Sequence, residues 1–272
     1  MSHPASTTST APPAPASTSP VGRGVPPTAA DASDPLVESF ATFDLFDLGR
    51  RASAARNARL GPFASFVRGR QLLPTGAWRG PRDATEGTVE AVDLATLGGW
   101  PAAQAAGVTL VAGVADRALH QQVLAGGGRL LWRLPYHSAG GAAERRVRRT
   151  AIEALRATVR DGLPIWGVMP TPEGEAEGLD TLRLAALLRL ELPEIPHVVL
   201  DVAALGPRLA QMALGFGADE LWAPIVSERA LRLGGNANNP AMTRKEAVIL
   251  IRGAGLAPRE RTGPETFCPE PA

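Results

Sequence analysis

The feature that most constrains this chain is residues 192–261, which read without interruption as strand, helix, strand, helix. A β-branched run at 197–202 follows Pro196. Gly206-Pro207 then opens a helix, with proline where its missing N–H costs nothing. Leu209, Met212, Ala213 and Phe216 fall at i, i+3, i+4 and i+7, which predicts one apolar stripe, and Gly217 is placed to end it. Residues 221–226 predict a second strand. Thr243-Arg-Lys-Glu246 is a capping box that opens a last helix, with Gly255 and Pro258 as its stop. Alternation of this kind implies a parallel sheet faced by helices.

Upstream, the same grammar recurs with more irregularity. Residues 1–33 are Ser, Thr, Pro and Ala with almost no large apolar side chain, so they predict a disordered tail. Asp34-Pro35 reads as the cap and first turn of a helix whose buried face is Leu36, Phe40 and Phe43, continuing through Leu48 and Ala52. A short strand at 66–68 follows. Residues 83–106 read as helix, broken at Gly98-Gly99, and 108–114 as strand. Residues 116–125 are helix and 129–134 strand. A long helix at 143–160 has Val147, Ala151, Ile152, Leu155 and Val159 as its expected inner face. Its arginines, Arg145, Arg146, Arg148, Arg149, Arg156 and Arg160, lie mostly off that face, as a solvated surface or an acidic docking surface. A strand at 165–169 and a helix at 177–192 complete the pattern. Strand starts at Phe66, Val108, Arg129, Ile165, His197 and Leu221 make about six parallel strands. The expectation is a shortened or partial (β/α) TIM-type barrel spanning 34–267, with 268–272 as a C-terminal tail, since full barrels take about 250 residues.

Composition narrows the function classes. A net charge of +1 argues against a nucleic-acid partner. Only Lys245 among 28 basic residues is lysine, a coding bias and not a basic function. No apolar run approaches the roughly 20 residues of a membrane helix, and no secretory signal opens the chain, so a cytoplasmic location is expected. Cys268 is the single cysteine, which excludes an internal disulfide and a metal site built on several thiolates of one chain.

The stretch also resembles a known family. IPH (195–197), LGPRLAQMAL (205–214), FGADEL (216–221), the VSE ending at Glu228 and MTRKEAVILIRGAGLAPRER (242–261) look like the C-terminal end of the radical-SAM enzymes of the futalosine route to menaquinone, such as aminofutalosine synthase and dehypoxanthine futalosine cyclase. Related deazaflavin-forming enzymes share parts of it. A weaker likeness covers 43–75, where Phe66, Val67, Arg70, Pro74 and Thr75 follow the strand that leads into the family's CxxxCxxC cluster loop. Gly69, Leu73 and Gly76 depart from that pattern, and Trp78 stands where the first cluster cysteine would fall. The resemblance thus implies a [4Fe–4S] loop that this sequence lacks. Three thiolates hold such a cluster, so none is expected here, and S-adenosylmethionine binding is doubtful with it.

In a barrel, function collects at the carboxyl ends of the strands. Polar residues expected there are Asp116, Tyr136, His137, Ser138, Thr171, Glu173, Asp201, Ser227 and Glu228. Asp116 is placed to cap the helix through Leu119 and Val123. His137 is the best general acid–base candidate because its ordinary pKa lies near neutrality, although a loop histidine without such duty is the simpler reading. Asp201 interrupts an apolar strand; it either enters the barrel mouth and meets a ligand or an arginine, or ends the strand in water. Glu228 matches the family's acidic position after the last strand, where it helps close the barrel. His197 precedes a strand and reads as structural. Gly126–Gly128 and GGNANNP (234–240) lack the spacing of a phosphate loop.

Together these readings predict a non-catalytic relative of the futalosine-route enzymes. It would bind a true aminofutalosine synthase or another enzyme of that route, or carry a nucleoside-like molecule, with Asp116, His137, Asp201 and Glu228 as contact residues. The alternatives are an enzyme using His137 with Asp116, Asp201 or Glu228 for acid–base chemistry, and a structural subunit of a hetero-complex.

Overall fold

The computed structural model describes residues 44–114, 116–137, 141–174, 178–228, 241–263 and 266–268. The expected tail, the Asp34 cap with its helical face up to Phe43, Ser138 and the glycine-rich 234–240 lie outside the described residues. The helices are α1 (Leu45–Leu60), α2 (Trp100–Ala105), α3 (Arg117–Ala125), α4 (Gly141–Arg160), α5 (Gly178–Glu191), α6 (Val202–Leu205), α7 (Pro207–Leu214) and α8 (Arg244–Gly253). The strands are β1 (Phe63–Val67), β2 (Gly69–Leu72), β3 (Trp78–Arg79), β4 (Glu86–Glu90), β5 (Leu110–Ala112), β6 (Arg129–Tyr136), β7 (Gly167–Pro172), β8 (His197–Asp201), β9 (Glu220–Trp222), β10 (Ile225–Val226), β11 (Met242–Thr243) and β12 (Ala257–Arg261). Among the described residues no helix is long and apolar enough to cross a membrane.

Ten strands form one sheet in the order β12-β1-β9-β8-β7-β6-β5-β4-β2-β3, parallel except for the β2–β3 hairpin. Only Arg68 separates β1 from β2. A ladder that leaves β2 through β4 therefore returns through β9 to the same run of chain, where Ser65 pairs with Glu220. The sheet curls as a partial barrel, as expected, but it has ten strands and not about six; the unexpected ones are β2, β3, β4 and β12. β4 falls within the expected helix at 83–106, where residues 86–90 are a strand. Its inward positions are Glu86, Thr88 and Glu90, so the usual apolar-in pattern is inverted and the sequence hides it. β12 was read only as a helix stop because its residues are charged, yet it pairs with β1 along its whole length. The expected strand at 221–226 is two short strands, β9 and β10.

Local chemistry explains the ends of the elements. Thr243 and Glu246 form the capping box, with Thr243 N donating to Glu246 Oε2 at 2.7 Å and Glu246 N to Thr243 Oγ1 at 3.2 Å. Such a cap contributes about 1 kcal/mol. Pro207 occupies the first turn of α7. The buried face of α7 is Ala210, Ala213 and Leu214; Met212, expected in the stripe, is exposed. Gly217 has φ of +92°, and a Cβ there would lie 2.8 Å from Ala52 and 3.0 Å from Arg189, so the turn after α7 needs glycine. In α4 the expected inner face holds except at Val147, which is exposed, while Arg148 is buried.

Helices cover the outside of the sheet through one large apolar cluster that includes Phe66, Val89, Leu130, Leu134, Leu184, Leu187 and Ile251. A second cluster, Leu110, Ala112, Leu131, Trp166, Met169 and Val199, fills the inside. Below it lies a floor of paired charges. Arg261 donates from Nε and Nη2 to Glu220 at 2.9 and 2.7 Å and from Nη2 to Glu86 at 2.5 Å. All three side chains are at most 2% exposed. Burial alone would disfavour the charge on Arg261, but Glu220 and Glu86 more than offset that and hold it firmly protonated. Ser65 Oγ donates to Glu220 at 2.8 Å, and Arg129 pairs with Glu86.

His197 belongs to the same floor. Its Nδ1 lies 2.6 Å from Asp219 Oδ2, Arg189 also pairs with Asp219, and Val198 N donates to Asp219 Oδ1 at 2.8 Å. Burial opposes the imidazolium, but Asp219 overrides it and raises the His197 pKa above its ordinary 6.5. Burial likewise opposes the Asp219 carboxylate, and His197 with Arg189 reverse that and hold its pKa below the usual range. The histidine is structural, as expected.

Two outcomes follow from this floor. Replacing Arg261→Met leaves the buried Glu220 without a cation and Glu86 with Arg129 alone, so urea denaturation should show a loss of about 3–5 kcal/mol; a loss below about 1 kcal/mol would contradict the pairing. The His197 contribution is complete below its unfolded pKa of about 6.5 and fades as pH rises through the raised folded value. The stability gap between the natural protein and His197→Gln should therefore shrink as pH rises above neutrality. A gap that widened with pH would exclude the charged pair.

Candidate functional site

The strand ends opposite the floor form the barrel mouth. There β2, β4, β5, β6 and the segment after β9 surround a cavity of about 70 Å³ lined by Gln71, Thr88, Glu90, Arg133, Trp222 and others. Pockets that take drug-sized molecules hold about 300–1,000 Å³. Arg133 lines it because alternation along β6 turns Arg129, Leu131 and Arg133 to the inside. Its guanidinium meets Glu90 in a fork, with Nε 3.1 Å from Oε2 and Nη2 2.7 Å from Oε1. Nη1 lies 3.5 Å from Met169 Sδ and 4.0 Å from Asp201 Oδ2. Gln71 Nε2 donates to Glu90 Oε1 at 3.4 Å.

Of the sequence candidates, Asp201 alone reaches this cluster. It points toward an arginine, and its Oδ1 also accepts from Ala203 N at 2.9 Å and Ala204 N at 3.3 Å, capping α6. Asp116 caps α3 through Leu119 N at 2.8 Å, as expected. His137 is on the rim, with Nε2 2.7 Å from Glu173 Oε2 and both side chains more than half exposed. It thus meets Glu173 and not Asp116, Asp201 or Glu228. Glu228 is exposed beside an open groove along the start of α8 that also includes Thr243, Lys245 and Val248. The four candidates do not converge. Tyr136 is buried, its hydroxyl 2.5 Å from Thr181 Oγ1, and burial raises its pKa above the ordinary value.

Three arginines of α4 have carboxylate partners. Arg148 pairs with Glu144 at 3.2 Å, Arg149 with Glu153 at 2.8 Å, and Arg156 with Glu191. Only part of that set is left for a docking surface. Sequence reasoning missed Glu90 and Arg133. Their signal is a charged residue at every second position of a strand, which marks side chains that face a polar interior.

The residues present do not fit a thiolate-held cluster. Residues 69–79 fold as a β2–β3 hairpin, with Leu73 N donating to Ala77 O at 2.8 Å and Leu72 opposite Trp78. The Arg70 guanidinium lies 4.0 Å over the Trp78 ring. Cys268 is at the other end of the barrel, its N donating to Glu260 O at 2.8 Å. Among the described residues no group of three or more His, Cys, Asp or Glu side chains is arranged to hold a metal ion.

Comparison with known proteins agrees with the resemblance. The chain is 36% identical over 84 residues to the aminodeoxyfutalosine synthase of Thermus thermophilus, covering 31% of this chain and 23% of that one. It is 35% identical over 86 residues to a 5-amino-6-(D-ribitylamino)uracil–L-tyrosine 4-hydroxyphenyl transferase of Methanosarcina barkeri, with 31% and 23% covered. The match thus spans less than a quarter of these relatives' length. No family profile matches the chain. The FeFe-hydrogenase maturase HydG of Carboxydothermus hydrogenoformans superposes with a TM-score of 0.54 at 9% identity, covering 82% of this chain and 74% of that one, a likeness of fold alone. Over about a third of its length the chain is thus similar in sequence to aminodeoxyfutalosine synthases and to the ribitylaminouracil–tyrosine transferase, and its curled, mostly parallel sheet is like that of HydG.

Proposed function

We propose that the protein acts by binding, without radical chemistry, as a partner or regulator of a futalosine-route enzyme. The observation that carries this reading is the β2–β3 hairpin. By the sequence resemblance this turn corresponds to the family's cluster loop and Trp78 to its first cysteine, and here the turn is a closed hairpin. The chain's single thiol is at the opposite end of the barrel. A partner role is favoured over a nucleoside carrier because the mouth cavity, about 70 Å³, is too small for a nucleoside as it stands.

Anaerobic incubation of the full chain with iron and sulfide should produce no absorbance in the thiolate–iron charge-transfer region. A stoichiometric cluster would overturn the non-radical part of the reading. The partner part is tested by size-exclusion chromatography of the full chain mixed with aminofutalosine synthase from the same organism. Co-elution is expected at about 50 µM of each protein; two unshifted peaks would count against a partnership of useful strength.

A further inference from the structure

We propose that the groove along α8 receives an acidic, amphipathic helical segment of a partner protein. The inference rests on the partner role above and names the surface that serves it. The groove holds about 500 Å³ and is lined by Val226 and Glu228, from β10 and the residues after it, and by Lys245, Val248, Ile249 and Arg252 of α8. Lys245, Ile249 and Arg252 fall at i, i+4 and i+7, so one stripe of the helix presents a cation, an apolar side chain and a second cation in turn. Ile249 is 56% exposed. The groove is therefore open along its wall and suits a segment of chain laid across it, not an enclosed molecule.

Charge decides the occupant. Arg244, the third cation of the lining, is held by Glu260 at 2.7 Å. Lys245 and Arg252 have no carboxylate partner among the described residues. The one carboxylate of the lining, Glu228, makes an interaction of its own and pairs with neither. Residues 229–240, which follow Glu228 in the chain, carry Arg229 and Arg232 and no carboxylate, so they cannot balance the two cations. An acidic partner can. Lys245 and Arg252 are two turns apart, about 10 Å along the helix axis. A partner helix meets that spacing with carboxylates at i and i+7, and leucine-type side chains at i+3 and i+4 then lie over Ile249 and Val248.

Fluorescence anisotropy tests the groove, with the full chain and a labelled helical peptide that carries Glu at i and i+7 and Leu at i+3 and i+4. Saturable binding with Kd of about 50 µM or tighter is expected, weakened about tenfold or more in the double variant Lys245→Glu/Arg252→Gln and unchanged in Arg146→Gln. Lys245 and Arg252 are exposed, so the double variant should keep the natural thermal midpoint, checked by circular dichroism. No saturation by about 1 mM, equal binding of a peptide of the same composition in scrambled order, or unchanged binding in the double variant would overturn the site. The double variant also separates the groove from the partner role. Co-elution with aminofutalosine synthase that survived it would overturn the groove and leave the partnership standing. Peptide binding without co-elution would support the groove and count against that partner. A dimer of the full chain in light scattering, lost in the double variant, would put a second copy in the groove and overturn the assignment to an acidic partner.

Discussion

The barrel depends on one buried arginine. Arg261, near the end of the described chain, joins Glu86 at the start of β4 to Glu220 at the start of β9. Those strands lie on opposite flanks of the β1–β2 run, so the guanidinium ties the two ends of the ladder where it closes. Such a cluster adds less net stability than an apolar core of equal volume, because each ion loses its hydration. What it supplies is register. A one-residue slip of β4, β9 or β12 would turn its charge outward and leave the others without a partner. Glu260 adds a second clasp on the neighbouring face, holding Arg68 at 2.6 Å and Arg244 at 2.7 Å.

Five of the residues that carry the family likeness belong to this floor or to the clasp beside it. His197 from IPH, Asp219 and Glu220 from FGADEL, and Glu260 with Arg261 at the end of the longest matching run all take part in buried ion pairs. Their agreement with the family therefore reflects how the barrel is closed. It carries no information about chemistry at the other end, where the polar cluster of Glu90, Arg133 and Asp201 sits.

Legibility followed the same division. Elements with a local cause were readable: the Thr243 capping box, Pro207 at the start of α7, the Asp116 cap and the glycine end of α3 all appear where residue chemistry puts them. Elements whose side chains face a charged interior were not. Residues 86–90 alternate Glu, Gly, Thr, Val, Glu, which periodicity scores as polar and helical, and only the Arg129 and Arg261 partners reveal a strand. In the mouth, Asp201 was singled out because a carboxylate breaks an apolar run. Glu90 and Arg133 were overlooked because each was taken as one charged residue among many. Val147 shows the opposite error, an apolar residue assigned to the core that tertiary packing leaves in water.

The hairpin at 69–79 is held by contacts that depend on one another. Trp78 is bonded into the sheet through Leu72, and its ring lies against Arg70 and close to Gly87, where a Cβ would come within 2.9 Å of it. Opening this hairpin into a longer loop would thus release the indole, take away the platform of Arg70 and empty the space beside Gly87. The three contacts stand or fall together, so a single substitution at Trp78 would loosen the whole turn.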